Sequence, residues 1–368
     1  MKKLLALLLA LSICMLCGCG SAEEAPTTEA TTPTTTAAPT ETVAETTVPE
    51  TTEATEATEA APVYRNPLTG ETLEAPLESR IFGVSIDNVP GALPHVNVSK
   101  ADMVFEMFIN DHATRCLALY TDVASVDRIG AVRSMRVNFT DIAQGYDAVI
   151  AHAGGSSYVL RDVKASGIDH FNVDVSGESY YALRDQNRMA QGIARVHSLV
   201  AKGPGLVEMA LKNSMRITQD PDKVYGLNFT ETPCPVDGTD ANRIVIDFVH
   251  DGVSKITTMT YDASLGEYIY TQYKKQADSV TQENMETFKN VFVVMTTVTN
   301  VDVYHIADIL GSGDGYFACE GKMIPIKWIR ENETDPFTFT LTDGTPLEQG
   351  IGSSYVGITP LTSSVTAE

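Results

Sequence analysis

Tryptophan occurs once in the 368 residues and cysteine six times. Three of the cysteines, Cys14, Cys17 and Cys19, fall in the first 19 residues, so the rest of the chain keeps Cys116, Cys234 and Cys319. These three are odd in number, far apart and without CxxC or Cys/His spacing. That excludes a disulfide framework and a zinc site as organising devices. Cys116 and Cys319 lie in apolar, strand-like runs, where a free thiol acts as a small hydrophobe. Basic residues are also scarce, with 26 Lys and Arg against 48 Asp and Glu and a net charge of −22. The first 19 residues contribute +2 and residues 20–62 contribute −9, which leaves −15 for residues 63–368. So acidic a body is unsuited to nucleic acid and is repelled by anionic headgroups. No apolar run approaches the roughly 20 residues of a spanning helix. No phosphate loop, nucleophile elbow or EF-hand spacing occurs, so neither a cofactor nor a metal is expected.

The N-terminus is explicit. Lys2 and Lys3 give a positive start, Leu4 to Leu16 an apolar core of signal-peptide length, and Leu16-Cys17-Gly18-Cys19 an ending like the lipobox of bacterial lipoproteins. The expectation is cleavage before Cys19, lipid (diacylglycerol and palmitate) on that cysteine, and attachment to the outer face of the cytoplasmic membrane. Residues 20–62 hold 15 Thr and nine Glu but no Lys, Arg, Leu or aromatic residue. Such a segment buries too little apolar surface to offset its ordering entropy, so a disordered tether is expected. As a coil its ends would lie about 35 Å apart.

The 306 residues after the tether suffice for two domains. The runs at 80–87, 103–109, 116–121 and 149–151 read as strands, and 138–146, 156–164 and 206–214 as helices. From Ala241 onward the texture is a succession of strands, at 243–249, 256–261, 267–273, 291–303 and 324–329, separated by turn signals such as Asp251-Gly252 and Asp343-Gly344. The expected organisation is a signal peptide at 1–19, a tether at 20–62, an N-terminal α/β domain at 63–235 and a β-rich domain at 241–360, with the join near Thr232 to Asp240.

Short motifs in a fixed order carry a resemblance. They begin with Arg65-Asn66-Pro67-Leu68-Thr69-Gly70, Val84-Ser85-Ile86-Asp87-Asn88, Ala101-Asp102-Met103-Val104-Phe105-Glu106 and Thr114-Arg115. Ile129 to Arg136, Tyr146-Asp147-Ala148, His152-Ala153-Gly154-Gly155-Ser156, Leu183-Arg184-Asp185 with Arg188, and His197-Ser198 follow. The series ends with Gly313-Asp314-Gly315-Tyr316, Gly321-Lys322, Trp328 and Asp343-Gly344. This order is similar to that of the YerB-like bacterial lipoproteins, a family of undefined function, over nearly all of residues 63–360. Where the family usually has a tryptophan near its C-terminus, this chain has Tyr355. The resemblance implies an α+β fold: mixed sheets layered against helices, like a ββα-sandwich, with a smaller β-rich C-terminal domain.

Three constellations could carry chemistry. The first is Arg128, Arg133 and Arg136 with Ser134, three arginines in nine residues; Arg133 and Arg136 share a face on a helical turn and suit a carboxylate or phosphate. The alternative is ion pairing with local acids such as Asp127 or Asp141. Next, His152 leads into Gly154, Gly155 and Ser156 after a strand and before a helix, where backbone N–H groups can hold an anion or Ser156 can simply cap the helix. The third is Arg184, Asp185, Arg188 and His197, in which the histidine could be a general base or a hydrogen-bonded structural residue. Asp87-Asn88, Asp102 and Glu106 could add acidic groups. Together these favour a non-catalytic binding or scaffold domain of the cell envelope, partnered by the membrane through Cys19 and by wall polymer or an envelope protein. The alternative is a hydrolase of a wall polymer or precursor, using His152 or His197 with a carboxylate. An anion site where Arg133, Arg136 and the His152 to Ser156 turn meet is the sharpest expectation.

Overall fold

In the computed structural model, residues 63–110, 113–175, 180–232, 237–276 and 285–368 are described. The signal peptide, Cys19, the tether and Cys234 lie outside the described residues. No helix among the described residues is long and apolar enough to cross a membrane.

The organising element is an 11-stranded sheet. From one edge, its order is Thr239–Asp240, Lys322–Arg330, Gly311–Cys319, Asn290–Thr296, Ser354–Pro360, Met103–Asn110, Ala113–Tyr120, Phe82–Asn88, Val149–His152 and His170–Asn172, with Thr338–Leu341 branching off Lys322–Arg330. Strands from both sides of residues 232–240 therefore share it. Ser354–Pro360 lies parallel to both of its neighbours, Asn290–Thr296 and Met103–Asn110. The inner strands are buried on both faces, which is why their sequences run apolar without alternation. On Ala113–Tyr120, Cys116 and Ala118 enter one core and Leu117 and Leu119 the other.

A six-stranded antiparallel sheet, built on Arg243–His250, Val253–Asp262, Glu267–Gln272 and Ser364–Ala367, covers part of the first face. Its strands do alternate: Ile244, Ile246 and Phe248 are buried and their neighbours are not. Helix α4 (Gly203–Lys212) covers another part through Leu206, Met209 and Ala210. On the second face lie α1 (Val137–Gly145) and α2 (Ser157–Ser166). Phe139, Ile142 and Ala143 give α1 its apolar stripe, and Val159 and Val163 that of α2. Ser156 caps α2, and Gly167, left-handed at φ +71°, ends it.

The expected α+β sandwich of sheets layered against helices is overturned. Among the described residues the chain is mostly β, 45% strand to 16% helix, in several sheets with four α-helices. The reason is what covers the central sheet. A second sheet takes much of one face, and the helices are short; α3 (Gln186–Ala190) has five residues. The expected helices lie at α1, α2 and α4. The run at 291–303 is two strands rather than one. Asn290–Thr296 stays in the central sheet, and Val298–Val301 leaves it to form a hairpin with Tyr304–Ala307.

Candidate functional site

Asp87 is the next-to-last residue of Phe82–Asn88 and is 1% exposed. Strand register sets Arg115 directly opposite it, so both side chains leave the same face of the sheet. An extended segment, residues 131–135, wedges in where Phe82–Asn88 and Val149–His152 part. Asp87 N donates to Ala131 O (2.8 Å) and Arg133 N to Ser85 O (2.8 Å). On its other edge, Ala153 N donates to Arg133 O and Met135 N to Gly154 O, both at 2.9 Å. The Arg133–Arg136 segment and the His152–Ser156 turn are thus hydrogen-bonded neighbours.

Side chains converge on the Asp87 carboxylate. Arg133 Nε lies 3.0 Å from Oδ2, His197 Nδ1 2.7 Å from the same oxygen, and Arg115 Nη2 3.9 Å from Oδ1. Arg136, at the N-cap of α1, is close enough that its charge and that of Arg115 oppose each other. The Ser134 carbonyl pins the group: it accepts from Arg115 Nη1 (2.9 Å), Ser85 Oγ (3.1 Å) and Arg136 Nη1 (3.4 Å). Ser134 therefore contributes its backbone. Burial first, then its neighbouring guanidiniums, pushes Arg115 well below its usual pKa. Burial, partly opposed by the Tyr304 hydroxyl, lowers Arg136 to about 10. At that value Arg136 remains a cation at neutral pH. Two guanidiniums, those of Arg115 and Arg133, thus face one carboxylate, a third, Arg136, lies near enough to feel its charge, and the Nε atoms of Arg115 and Arg136 are buried without a hydrogen-bond partner. The N-terminal end of α1 adds its own positive potential.

The other candidates are placed differently. The His152 ring does not join Asp87: Nδ1 meets Gly154 O at 2.8 Å and Nε2 meets His170 Nδ1 at 3.0 Å. Burial drives its pKa down to about 4, the Gly154 carbonyl opposing and His170 assisting. A neutral ring donating from Nδ1 to Gly154 satisfies both contacts. Gly154 N is taken by Asn172 Oδ1 (3.0 Å), and Ser156 caps α2 through Val159 N (3.3 Å). Gly155 packs against Leu160 and Met135.

Arg184 pairs with Asp174 and donates to Arg195 O. Asp185 caps α3 and pairs with Arg128 at 3.1 Å. Arg188 donates to Pro94 O (2.7 Å) and Ala92 O (2.6 Å). These residues fix the loops on either side of His197, whose ring lies against Gly91. Neither Asp127 nor Asp141 pairs with Arg133; the acid that does is Asp87.

Glu106 is wholly buried on the opposite face of the central sheet. Its carboxylate accepts from Lys255, Thr114 (2.6 Å), Tyr270 (2.7 Å), Tyr355 (2.7 Å), Asn88 (2.9 Å) and Thr257 (3.0 Å). Burial alone would raise its pKa, but Lys255 and the hydroxyls more than offset that and hold it below the usual value. Asp102 is fixed by Thr121 N (2.7 Å) and Asn66 (2.8 Å). No group of three or more His, Cys, Asp and Glu among the described residues is placed to hold a metal.

Sequence reasoning had not assigned a role to Arg115, Lys255 or Tyr304. A charged residue inside the apolar strand Ala113–Tyr120 is a signal that could have marked Arg115.

Two family models match the chain. Residues 68–216 match the N-terminal domain, and residues 244–356 the C-terminal domain, of a protein of unknown function (DUF3048). A curated relative, "Putative lipoprotein YerB" of Bacillus subtilis (strain 168), is 23% identical over 303 residues, covering 80% of this chain and 86% of the relative. The crystal structure of YerB from Bacillus subtilis superposes with a TM-score of 0.69 at 22% identity, over 82% of this chain and 99% of that one. The chain belongs to the DUF3048 family.

Proposed function

We propose that this protein is a lipid-anchored, extracytoplasmic binding protein whose ligand is an anion, held where Arg115, Arg133 and Arg136 gather around Asp87. One observation carries the reading: in a body of charge −15, three guanidiniums cluster around a single carboxylate and leave an excess of positive charge. Guanidinium donors aimed at a carboxylate or phosphate make strong, directional, charge-assisted hydrogen bonds. The anchor is supported by the lipobox-like Leu16 to Cys19 and by similarity to a protein named a putative lipoprotein. Carboxylates and phosphates of wall polymer are the anions such a site would meet.

The test is calorimetric titration of the full chain in detergent with phosphate and with acetate. Arg133→Ala combined with Arg136→Ala should weaken binding at least tenfold, since each charge-assisted bond contributes about 1.5–3 kcal/mol. Equal affinity in both proteins would remove these arginines from the site. For the anchor, Cys19→Ala should abolish palmitate labelling, and labelling that persists would overturn it.

The His197–Asp87 contact at 2.7 Å favours a second reading. A carboxylate on Nδ1 fixes the tautomer that leaves Nε2 as a base. Hydrolysis of wall fragments that survives in the double arginine variant but disappears in His197→Ala would favour this reading over binding alone.

A further inference from the structure

The hairpin of Val298–Val301 and Tyr304–Ala307 lies in the C-terminal half of the chain, yet its Tyr304 reaches the arginine cluster. The Arg136 guanidinium carbon is 5.8 Å from the Tyr304 ring centroid. Tyr158, in the first turn of α2, lies beside it, with ring centroids 6.0 Å apart and planes within 11° of parallel. Near-parallel rings at that separation are offset, so each leaves part of its face uncovered by the other. Both tyrosines are half-buried. Two segments far apart in sequence therefore bring an offset stack of two aromatic rings to the edge of a positively charged site.

An inorganic anion would use the guanidiniums alone. The aromatic surface suits a ligand that has a face as well as a charge. The C–H bonds on one side of a sugar ring carry partial positive charge and lie well against the negative face of an aromatic ring, while the hydroxyls at its rim stay in water. We propose, resting on the anion-binding reading above, that the ligand is a saccharide bearing a carboxylate or a phosphate. Its charge is held between Arg133 and Arg136, and one ring face lies against the part of the Tyr304 ring that the stacked Tyr158 leaves uncovered. Tyr304 then decides between a charged sugar and a bare anion.

The experiment is titration calorimetry of the full chain in detergent with five probes: inorganic phosphate, acetate, glucose 6-phosphate, a glucuronic acid-containing tetrasaccharide and neutral chitotetraose. The expected result is that at least one charged sugar binds tenfold or more tighter than the bare anion of the same charge type, and that chitotetraose binds more weakly than either. Which charged sugar prefers the site identifies the acid. Tyr304→Ala should bring the affinities for sugar and bare anion together, whereas Tyr304→Phe, which keeps the ring, should retain the preference. If phosphate and acetate bind but neither charged sugar binds more tightly, the saccharide proposal is overturned and the anion reading stands. Chitotetraose binding as well as the charged sugars, or a preference that survives in Tyr304→Ala, overturns it too. If none of the five binds, both fall.

Discussion

His152 and Asp141 have pKa values displaced by burial, and their effects on stability run in opposite directions. For His152, the folded-state value of about 4 lies below the ordinary 6.5. Its neutral ring therefore adds stability that is fully present above pH 6.5 and is lost as pH falls toward 4, about 3 kcal/mol in all. For Asp141, burial opposed by Arg330 raises the value from 3.8 to about 6. Its ionised form costs at most about 3 kcal/mol above pH 6, and that cost disappears as pH falls toward 4. In the wild type the two largely cancel. Replacing either one should expose the other. The stability deficit of His152→Gln at pH 7 should shrink by up to about 3 kcal/mol at pH 4. Asp141→Asn should lose its advantage over the same interval. Urea unfolding of the three proteins at pH 7 and pH 4 checks this, and parallel pH profiles would contradict it.

At the scale of elements, the turn from Val149–His152 into α2 depends on Gly154, whose φ is +73°. Nothing lies within 4 Å of the position a Cβ would occupy there. The cost of Gly154→Ala is thus backbone strain alone, about 1–2 kcal/mol. Gly154→Asn should cost less, because Asn tolerates the left-handed region. Denaturant midpoints of the two variants rank them, and a larger loss for Asn would contradict this account. Helices and strands of this kind were legible because each leaves a local periodic trace: α1 and α2 show it in Phe139, Ile142, Val159 and Val163. The share of β-structure was not legible. Nothing in the strands from Arg243 onward says that their apolar face will cover a sheet begun at Phe82. The exit of Val298–Val301 from the central sheet was hidden in the same way, inside one continuous run of strand-forming residues. Of the site, Arg133, Arg136 and His197 could be singled out by type, whereas Arg115 could not be told from its strand neighbours by role, and His152, singled out as well, turned out to lie apart from Asp87. The pairing of Asp87 with His197 spans 110 positions, and no local pattern encodes it.

For the whole molecule, the Glu106–Lys255 pair fastens the central sheet to the six-stranded sheet across 149 positions. Both side chains are fully buried. Removing one partner strands a buried charge, so Lys255→Met should destabilise by about 3–5 kcal/mol. Replacing both partners, as Glu106→Leu with Lys255→Met, should recover much of that loss. Thermal unfolding of single and double variants measures it, and a double variant no better than the single would show that the hydroxyls around Glu106 require the carboxylate itself.

The strand Ser354–Pro360 has a consequence of another kind. Its Tyr355 meets Glu106 across 249 positions, and all seven of its residues are buried between Asn290–Thr296 and Met103–Asn110. A chain emerging N-terminus first, from a ribosome or through a translocation pore, presents Met103–Asn110 long before this neighbour exists. Until Ser354–Pro360 arrives, that strand has an open edge, and the contact that closes the sheet is among the slowest kind to form. Assembly of the sheet is therefore a late event in the life of the polypeptide, and the thread stays pliable while most of its length is still in passage.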